Sequence, residues 1–108
     1  MGINNMTPEA KQRKECPVAS GFVAYFPDAM KEVARLSLIA NEQHNPGEPL
    51  HWAKSKSTDH ADALTRHLID HLKGNEMDTD GVLHLTKVAW RAMAYLQIYL
   101  ETNETISQ

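Results

Sequence analysis

The alternation of apolar and polar residues predicts an all-α domain, a small bundle of three main helices. A first helix opens at Pro27, because proline suits the first turn of a helix, and it ends near His44, before a Pro-Gly pair. The following residues, 45–57, contain two prolines and a glycine, which predict a loop. Trp52 lies in this loop, and we expect its indole to fold back onto the domain or to cover a ligand.

The second and third helices differ in the amount of apolar surface that they carry. The second begins at a hydroxyl cap, Ser57 or Thr58, and runs to Lys73, which a glycine follows. The third runs from about Asp80 to Glu101, and its apolar positions cover well over half of its circumference. Such a helix needs cover on several sides. Because three helices of one chain hardly supply that cover, we predict a homo-oligomer that associates through helix faces.

Length, charge and cysteine usage narrow the class of protein. The 108 residues allow one small domain, which we divide into a flexible arm (1–20), a helical domain (21–101) and a flexible tail (102–108). The net charge of −3 and the absence of a basic stripe argue against a nucleic-acid polymer as partner. No apolar stretch approaches the ~20 residues that span a membrane. A single cysteine, Cys16, fits a cytoplasmic location.

Histidines of the second helix form the main candidate site. At about 100° per residue, His60, His67 and His71 lie within roughly 40° of one another, between an apolar stripe and a charged face. Arg66 lies on one flank of this row, and His84 joins it if the third helix faces the second. Such a row can bind a metal or the phosphates of a ligand. Alternatively, each histidine makes an ordinary hydrogen bond at the edge of a helix–helix interface.

Charged residues near the helix starts offer further candidates. Asp78 and Asp80 can hold Mg²⁺, or an aspartate of this loop caps the third helix. Lys54 and Lys56 precede the second helix, whose free backbone N–H groups can help to bind phosphate; otherwise this basic loop is simply solvated. Arg91 lies among apolar residues and requires an anion, either an aspartate of the protein or a ligand phosphate.

These motifs resemble those of a known family. The shared features are an opening helix, a tryptophan in the next loop, an Arg-His-Leu segment before a glycine, and an Asp-x-Asp-Gly-x-x-His-Leu segment before an apolar helix. In this chain they read DAMKEVARLSLIANEQHN, Trp52, Asp62-Ala63-Leu64, Arg66-His67-Leu68, Gly74, Asp78, Asp80-Gly81, His84-Leu85 and Trp90. Over residues 26–101 the chain resembles the dATP/dGTP diphosphohydrolase N-terminal domain family, which consists of small helical proteins, many of them encoded by phages. Many members carry a lysine in a glycine-rich segment before the first helix, whereas residues 20–25 of this chain contain none.

The resemblance implies a helical domain that handles purine nucleotides, with Mg²⁺ or Mn²⁺ as the implied metal and the host cytoplasm as the location of a phage protein. On this basis the site residues fall into three groups. The expected catalytic residues are His67 and His71. The expected ligand-binding residues are Trp52, Lys54, Lys56, Arg66, His60 and Arg91. The expected metal ligands are Asp78, Asp80 and His84.

Three functions follow from these observations. The first is a purine nucleotide-binding protein that hydrolyses a (deoxy)nucleoside triphosphate with the help of a metal. The second is a non-catalytic phage protein that sequesters a nucleotide immune signal, which the absence of an HExxH metal motif favours. The third is a structural helical oligomer whose histidines only pack. The first two require convergence of the cationic side chains on one cavity.

Overall fold

A computed structural model describes residues 7–103, and these residues are all-helical, without a strand. The helices are α1 (Pro8–Lys14), α2 (Pro27–His44), α3 (His60–Leu72) and α4 (His84–Thr102), with a π-helical turn (Ala19–Val23) between α1 and α2. The all-α prediction is therefore confirmed, and α2, α3 and α4 are the three predicted helices. No helix within the described residues is long and apolar enough to cross a membrane.

Part of the predicted arm is helical. The Thr7 hydroxyl oxygen accepts a hydrogen bond from the Ala10 N–H (3.1 Å), and Pro8 follows as the first residue of α1. This is a regular helix start, because a hydroxyl cap accepts from a free N–H and proline has no N–H that needs an acceptor. Residues 1–6 of the arm and 104–108 of the tail lie outside the described residues, and the flexibility of both segments stays a prediction.

α2 has the predicted bounds, whereas α3 begins slightly later than predicted. The cap position of α3 is Asp59, and the Ser57 hydroxyl donates to the Asp59 carboxylate (3.1 Å) instead of capping the helix. At the other end Gly74 has a φ of +95°, a left-handed conformation that glycine adopts without a steric penalty. The predicted stop of α3 is confirmed, and the predicted Ser57 or Thr58 cap is wrong.

α4 starts at His84, later than the predicted position near Asp80. A tight loop takes up the intervening residues: Met77 and Leu83 form an isolated antiparallel bridge, and the Asp78 N–H donates to the Val82 carbonyl at 2.8 Å. The cap position of α4 is Leu83, which makes no side-chain capping bond. The alternative that an aspartate of this loop caps the third helix is therefore wrong.

The chain divides into two compact units after Lys31, and the candidate chemistry lies in the second. In this unit α3 packs against α4. Its buried apolar side chains are few, and most are small: Leu36, Ala63, Val82 and Ala94. The buried polar ones are Asn41, His60, His84 and Thr86. Buried polar groups need hydrogen-bond partners or a ligand. These side chains therefore indicate that a candidate site lies in the interior of this unit.

Candidate functional site

A cleft of about 790 Å³ lies in the second unit. Residues of α2, of the loop after it, of α3 and of α4 line this cleft, and they include Asn41, Lys56, His67, Lys87 and Arg91. The volume falls within the range of about 300–1,000 Å³ that is typical of small-molecule sites. The cleft is thus large enough for a nucleotide, and it collects cationic and imidazole side chains from separate parts of the chain.

Two histidines meet where α3 contacts α4. The Nδ1 atoms of His67 and His84 are 2.9 Å apart, and the ring centroids are 5.1 Å apart. His84 is 5 % exposed, and the His67 side chain is 12 % exposed. Two bare imidazole nitrogens repel each other at this distance, so either one carries a proton or both face a cation. The predicted approach of His84 to the histidine row is therefore present at His67.

Lys87 holds the two aspartates of the loop before α4. Its Nζ atom lies 2.7 Å from Asp78 Oδ2 and 2.7 Å from Asp80 Oδ2. The hydrogen bond from Lys87 is the main reason that the pKa of Asp78 falls to about 2. Burial lowers the pKa of Lys87, but the hydrogen bonds and charges of the two carboxylates outweigh it and raise that pKa overall. All three groups are therefore charged at neutral pH.

Asp78 also lies near the histidine pair. Its Oδ2 atom is 4.0 Å from His67 Nδ1, and one donor atom from each of His67, Asp78 and His84 lies within 4.8 Å of the others. Burial, followed by the charge of Lys87, lowers the pKa of His67. Its imidazole is therefore neutral at pH 7, which is the form that binds metals. Two nitrogens and one carboxylate oxygen are a set of ligands suited to a divalent metal.

Asp80 is not part of this group. Its Oδ1 atom accepts from the Val82 N–H (3.1 Å), and its Oδ2 atom accepts from Lys87 and from Gln43 (3.3 Å). Burial raises the pKa of Asp80, but these hydrogen bonds outweigh it and lower that pKa overall. The predicted metal ligands Asp78 and His84 thus lie beside His67, whereas Asp80 forms an ion pair with Lys87.

Arg91 contacts a different set of partners in the cleft. Its Nη1 atom donates to Ser57 Oγ (2.8 Å) and to His60 Nδ1 (3.0 Å), and it lies 3.4 Å from Asp59 Oδ1. The Asp59 side chain is 55 % exposed, so this ion pair is weak. Because arginine only donates, His60 Nδ1 accepts and the proton lies on Nε2. Burial, followed by the charge of Arg91, lowers the pKa of His60 and keeps it neutral.

Two tryptophans supply an aromatic wall. Trp52 and Trp90 both line the cleft, and their rings pack edge to face with centroids 5.6 Å apart. The Trp90 Nε1–H donates to Ser37 Oγ (2.8 Å), which fixes the orientation of that ring. Trp52 therefore folds back onto the domain as predicted. Indole faces of this kind stack favourably with nucleotide bases.

Sequence comparison assigns the chain to a family. The family model described as dATP/dGTP diphosphohydrolase, N-terminal, matches residues 7–108. The chain belongs to this family. The resemblance drawn from the motifs is thus confirmed. No curated protein and no solved structure matches the chain.

Four predicted site residues have different outcomes in the structure. Lys56 lines the cleft and forms no ion pair within residues 7–103. Lys54, two residues earlier, donates to Glu101 (2.7 Å) and does not line the cleft. Arg66 is exposed and His71 is half-buried, and neither lines the cleft. The histidine row therefore divides: His60 and His67 contact α4, whereas His71 makes no side-chain hydrogen bond with the described residues.

Several residues of the site were not predicted from the sequence. Lys87 is the most important, and a signal for it exists only once the start of α4 at His84 is known: it then lies in the first turn, where the helix dipole disfavours a cation, so a nearby carboxylate is to be expected. Asn41 also lines the cleft; its Nδ2 donates to the Glu48 carbonyl (3.0 Å), and its buried Oδ1 has no partner among the described residues. Gln43 and Ser37, which hold Asp80 and Trp90, carry no such signal.

Proposed function

We propose that this domain binds a purine deoxynucleoside triphosphate in the cleft and hydrolyses it with the help of a divalent metal ion. The name of the family supplies the substrate class, dATP and dGTP. The observation that carries the proposal is the charge of the cleft. Among the described residues, the cleft is lined by three cationic side chains, Lys56, Lys87 and Arg91, and by one carboxylate, Asp80. Lys87 is already paired with Asp80 and Asp78. Because Arg91 pairs only weakly with the exposed Asp59, the charges of Lys56 and Arg91 remain for an anion.

In this proposal, different residues of the cleft contact the triphosphate and the base. Arg91 presents a guanidinium whose partners Ser57 and His60 are uncharged. Its ion pair with Asp59 is weak, because that side chain is more than half exposed, so the guanidinium gains from a phosphate. Lys56, beside Ser57 in the chain, adds a second charge for the triphosphate. The indoles of Trp52 and Trp90 supply the surface for the base.

For hydrolysis, we propose that the attacking water and the reacting phosphate lie at the His67 end of the cleft. A bound divalent metal there neutralises the negative charge that develops on the phosphate. Of the two histidines predicted to be catalytic, His67 lines the cleft and stays the candidate. We do not extend the proposal to His71, because it lies outside the cleft.

Calorimetric titration with dATP, dGTP, dCTP and dTTP tests binding, and a lysine pair supplies the control. We expect the two purine nucleotides to bind more tightly than the pyrimidine ones. Lys56→Ala should weaken dATP binding by about fivefold, the effect of one partly solvated ion pair. Lys54→Ala should leave binding unchanged, because Lys54 pairs with Glu101. Equal losses in both variants, or no purine binding to the wild type, would contradict the proposal.

Sequestration without turnover is the second candidate function. It is favoured by one observation: among the described residues that line the cleft, the single carboxylate, Asp80, is already ion-paired, which leaves no free carboxylate to act as a base. Ion-exchange chromatography of dATP incubated with protein and Mn²⁺ separates the two functions. Release of phosphate or diphosphate supports hydrolysis. Recovery of intact dATP after denaturation of a saturated complex supports sequestration.

We also propose that a second copy of the chain covers the apolar face of α4. Six large side chains on this face are between 46 % and 61 % exposed and lie within about 160° of the helix circumference: Leu85, Met93, Tyr95, Leu96, Tyr99 and Leu100. They offer on the order of 600 Å² to a partner, against about 800 Å² per partner in a standard interface. This face therefore fits the predicted homo-oligomer.

Sedimentation velocity tests this association. Leu96→Lys places a charge in the apolar face and should shift the protein towards monomer. Gln97→Lys changes the neighbouring position outside the face and should sediment like the wild type. A monomeric wild type at about 100 μM, well above the Kd of a standard interface, would refute the association.

A further inference from the structure

The histidine pair and Asp78 form a group whose chemistry nucleotide binding alone does not explain. His67 and His84 direct their Nδ1 atoms at one another across 2.9 Å. In a six-coordinate site, two adjacent ligand nitrogens at about 2.05 Å from the ion subtend a right angle and are roughly 2.9 Å apart. The observed separation therefore matches two adjacent ligands of one six-coordinate metal ion, and an N–H···N hydrogen bond between the two rings has the same length. Asp78 Oδ2, 4.0 Å from His67 Nδ1, can supply the third.

The surroundings of this group suit a cation that also contacts a ligand. His84 is almost completely buried, which shields one side of the group from water, whereas His67 lines the cleft. An ion held between these two imidazoles therefore faces the cleft. Its remaining coordination positions are available to water or to phosphate oxygens.

The charge balance also favours a further cation. Asp78 and Asp80 together carry two negative charges, and Lys87 supplies one positive charge to both. These three side chains together carry a net charge of −1. A divalent ion reverses this to +1, which attracts a triphosphate towards the same end of the cleft.

We propose that His67, His84 and Asp78 bind one divalent transition-metal ion, Mn²⁺, Co²⁺ or Zn²⁺ rather than Mg²⁺. Two imidazoles and one carboxylate favour these ions, because Mg²⁺ prefers oxygen ligands and keeps its water. Lys87 stays on Asp80 and shares Asp78 with the metal. The proposal deepens the proposed function by naming the metal and its ligands, but it rests on the metal alone and holds or fails without a nucleotide.

The test is a titration of metal-free, full-length protein with Co²⁺ in the absence of nucleotide, followed by calorimetry and by visible absorption. We expect one Co²⁺ per chain, ligand-field bands that indicate nitrogen ligands, and no displacement by millimolar Mg²⁺. His67→Ala should weaken Co²⁺ binding by about 100-fold. His71→Ala, one turn further along α3 and outside the group, should bind Co²⁺ like the wild type.

Three results would overturn the metal site. These are a wild type that binds no Co²⁺, equal losses in His67→Ala and His71→Ala, and displacement of Co²⁺ by Mg²⁺ at similar concentrations. Circular dichroism will show whether His67→Ala folds. If it does not, Asp78→Asn, which keeps the size of the side chain, is used instead and should weaken Co²⁺ binding at least tenfold. Nucleotide binding without metal depends on Arg91 and Lys56, so the titration with dATP in chelator tests the proposed function separately.

Discussion

The two ends of the cleft use cationic side chains in opposite ways. At one end Lys87 lies 2.7 Å from each of two carboxylates, which consume its charge. At the other end Arg91 donates to a hydroxyl and to a neutral imidazole. Its one acidic partner within residues 7–103, Asp59, is more than half exposed. Both residues lie on α4, one helical turn apart. The same helix thus presents a compensated cation, Lys87, and a weakly compensated one, Arg91.

This difference indicates that the two ends suit ligands of opposite charge. An end at which carboxylates exceed lysine charge attracts a metal cation, whereas an end at which a guanidinium has mainly neutral partners attracts an anion. A metal–triphosphate complex carries both charges and can satisfy both ends. The comparison can be broken by removing either cation, and the two removals should have opposite effects on their respective ligands.

Removing Arg91, the weakly compensated cation, should have the larger effect on ligand binding. Arg91→Ala should weaken dATP binding by about 30-fold, since a charge-assisted hydrogen bond contributes about 2 kcal/mol. Arg66→Ala, an exposed arginine of α3 outside the cleft, should change binding less than twofold. Calorimetric titration measures both, and Arg91→Lys, which keeps the charge, should recover part of the loss. Similar losses in Arg91→Ala and Arg66→Ala would show that the phosphates do not bind at this end.

Removing the compensated cation should have a smaller effect of opposite sign. Lys87→Met leaves Asp78 and Asp80 without their counter-ion, so the metal end becomes more negative. We expect Co²⁺ to bind about tenfold more tightly to this variant, because a competing unit charge has left its ligand. Thermal denaturation in the presence and absence of Co²⁺ checks the fold alongside the titration. Weaker Co²⁺ binding by a folded Lys87→Met protein would mean that Lys87 does not compete with a metal for Asp78.

The smallest expected effect concerns the lysine that lies outside the cleft. The hydrogen bond from Lys54 is the main reason that the pKa of Glu101 lies below its ordinary value of 4.5. This bond stabilises the carboxylate, so in Lys54→Ala the pKa of Glu101 should rise towards that value. In Lys56→Ala it should stay lowered. Carboxyl ¹³C shifts measured as a function of pH report both. A pKa of Glu101 in Lys54→Ala that is unchanged from the wild type would show that Lys54 is free for another partner.

The helices could be predicted well from the sequence, and their starts less well. Local signals bound α2, since a proline opens it and a Pro-Gly pair follows it. The start of α4 depends on the bridge between Met77 and Leu83. Propensity and spacing do not report such a pairing, and a glycine–aspartate stretch looks like a helix start without it. The late start of α4 therefore follows from backbone pairing.

The residues of the site could be predicted one at a time, but their grouping could not. Helical spacing aligns His60, His67 and His71, yet only the crossing of α3 and α4 determines which of them meets His84. Lys54 and Lys56 are two residues apart with the same chemistry, and the position of Glu101 on α4 separates them. The role of Lys87 depends on how the loop of residues 78–82 folds beside α4. Contacts between distant segments, rather than local pattern, decide each of these cases.

Tryptophan fluorescence tests the central claim most directly, because the chain contains two tryptophans and both line the cleft. Titration with dATP or dGTP should quench the emission in a saturable way as the base stacks on the indoles. Inorganic triphosphate should compete with dATP while leaving the emission unchanged. Absence of any saturable change with either purine nucleotide at millimolar concentration, with and without Mn²⁺, would contradict nucleotide binding in this cleft.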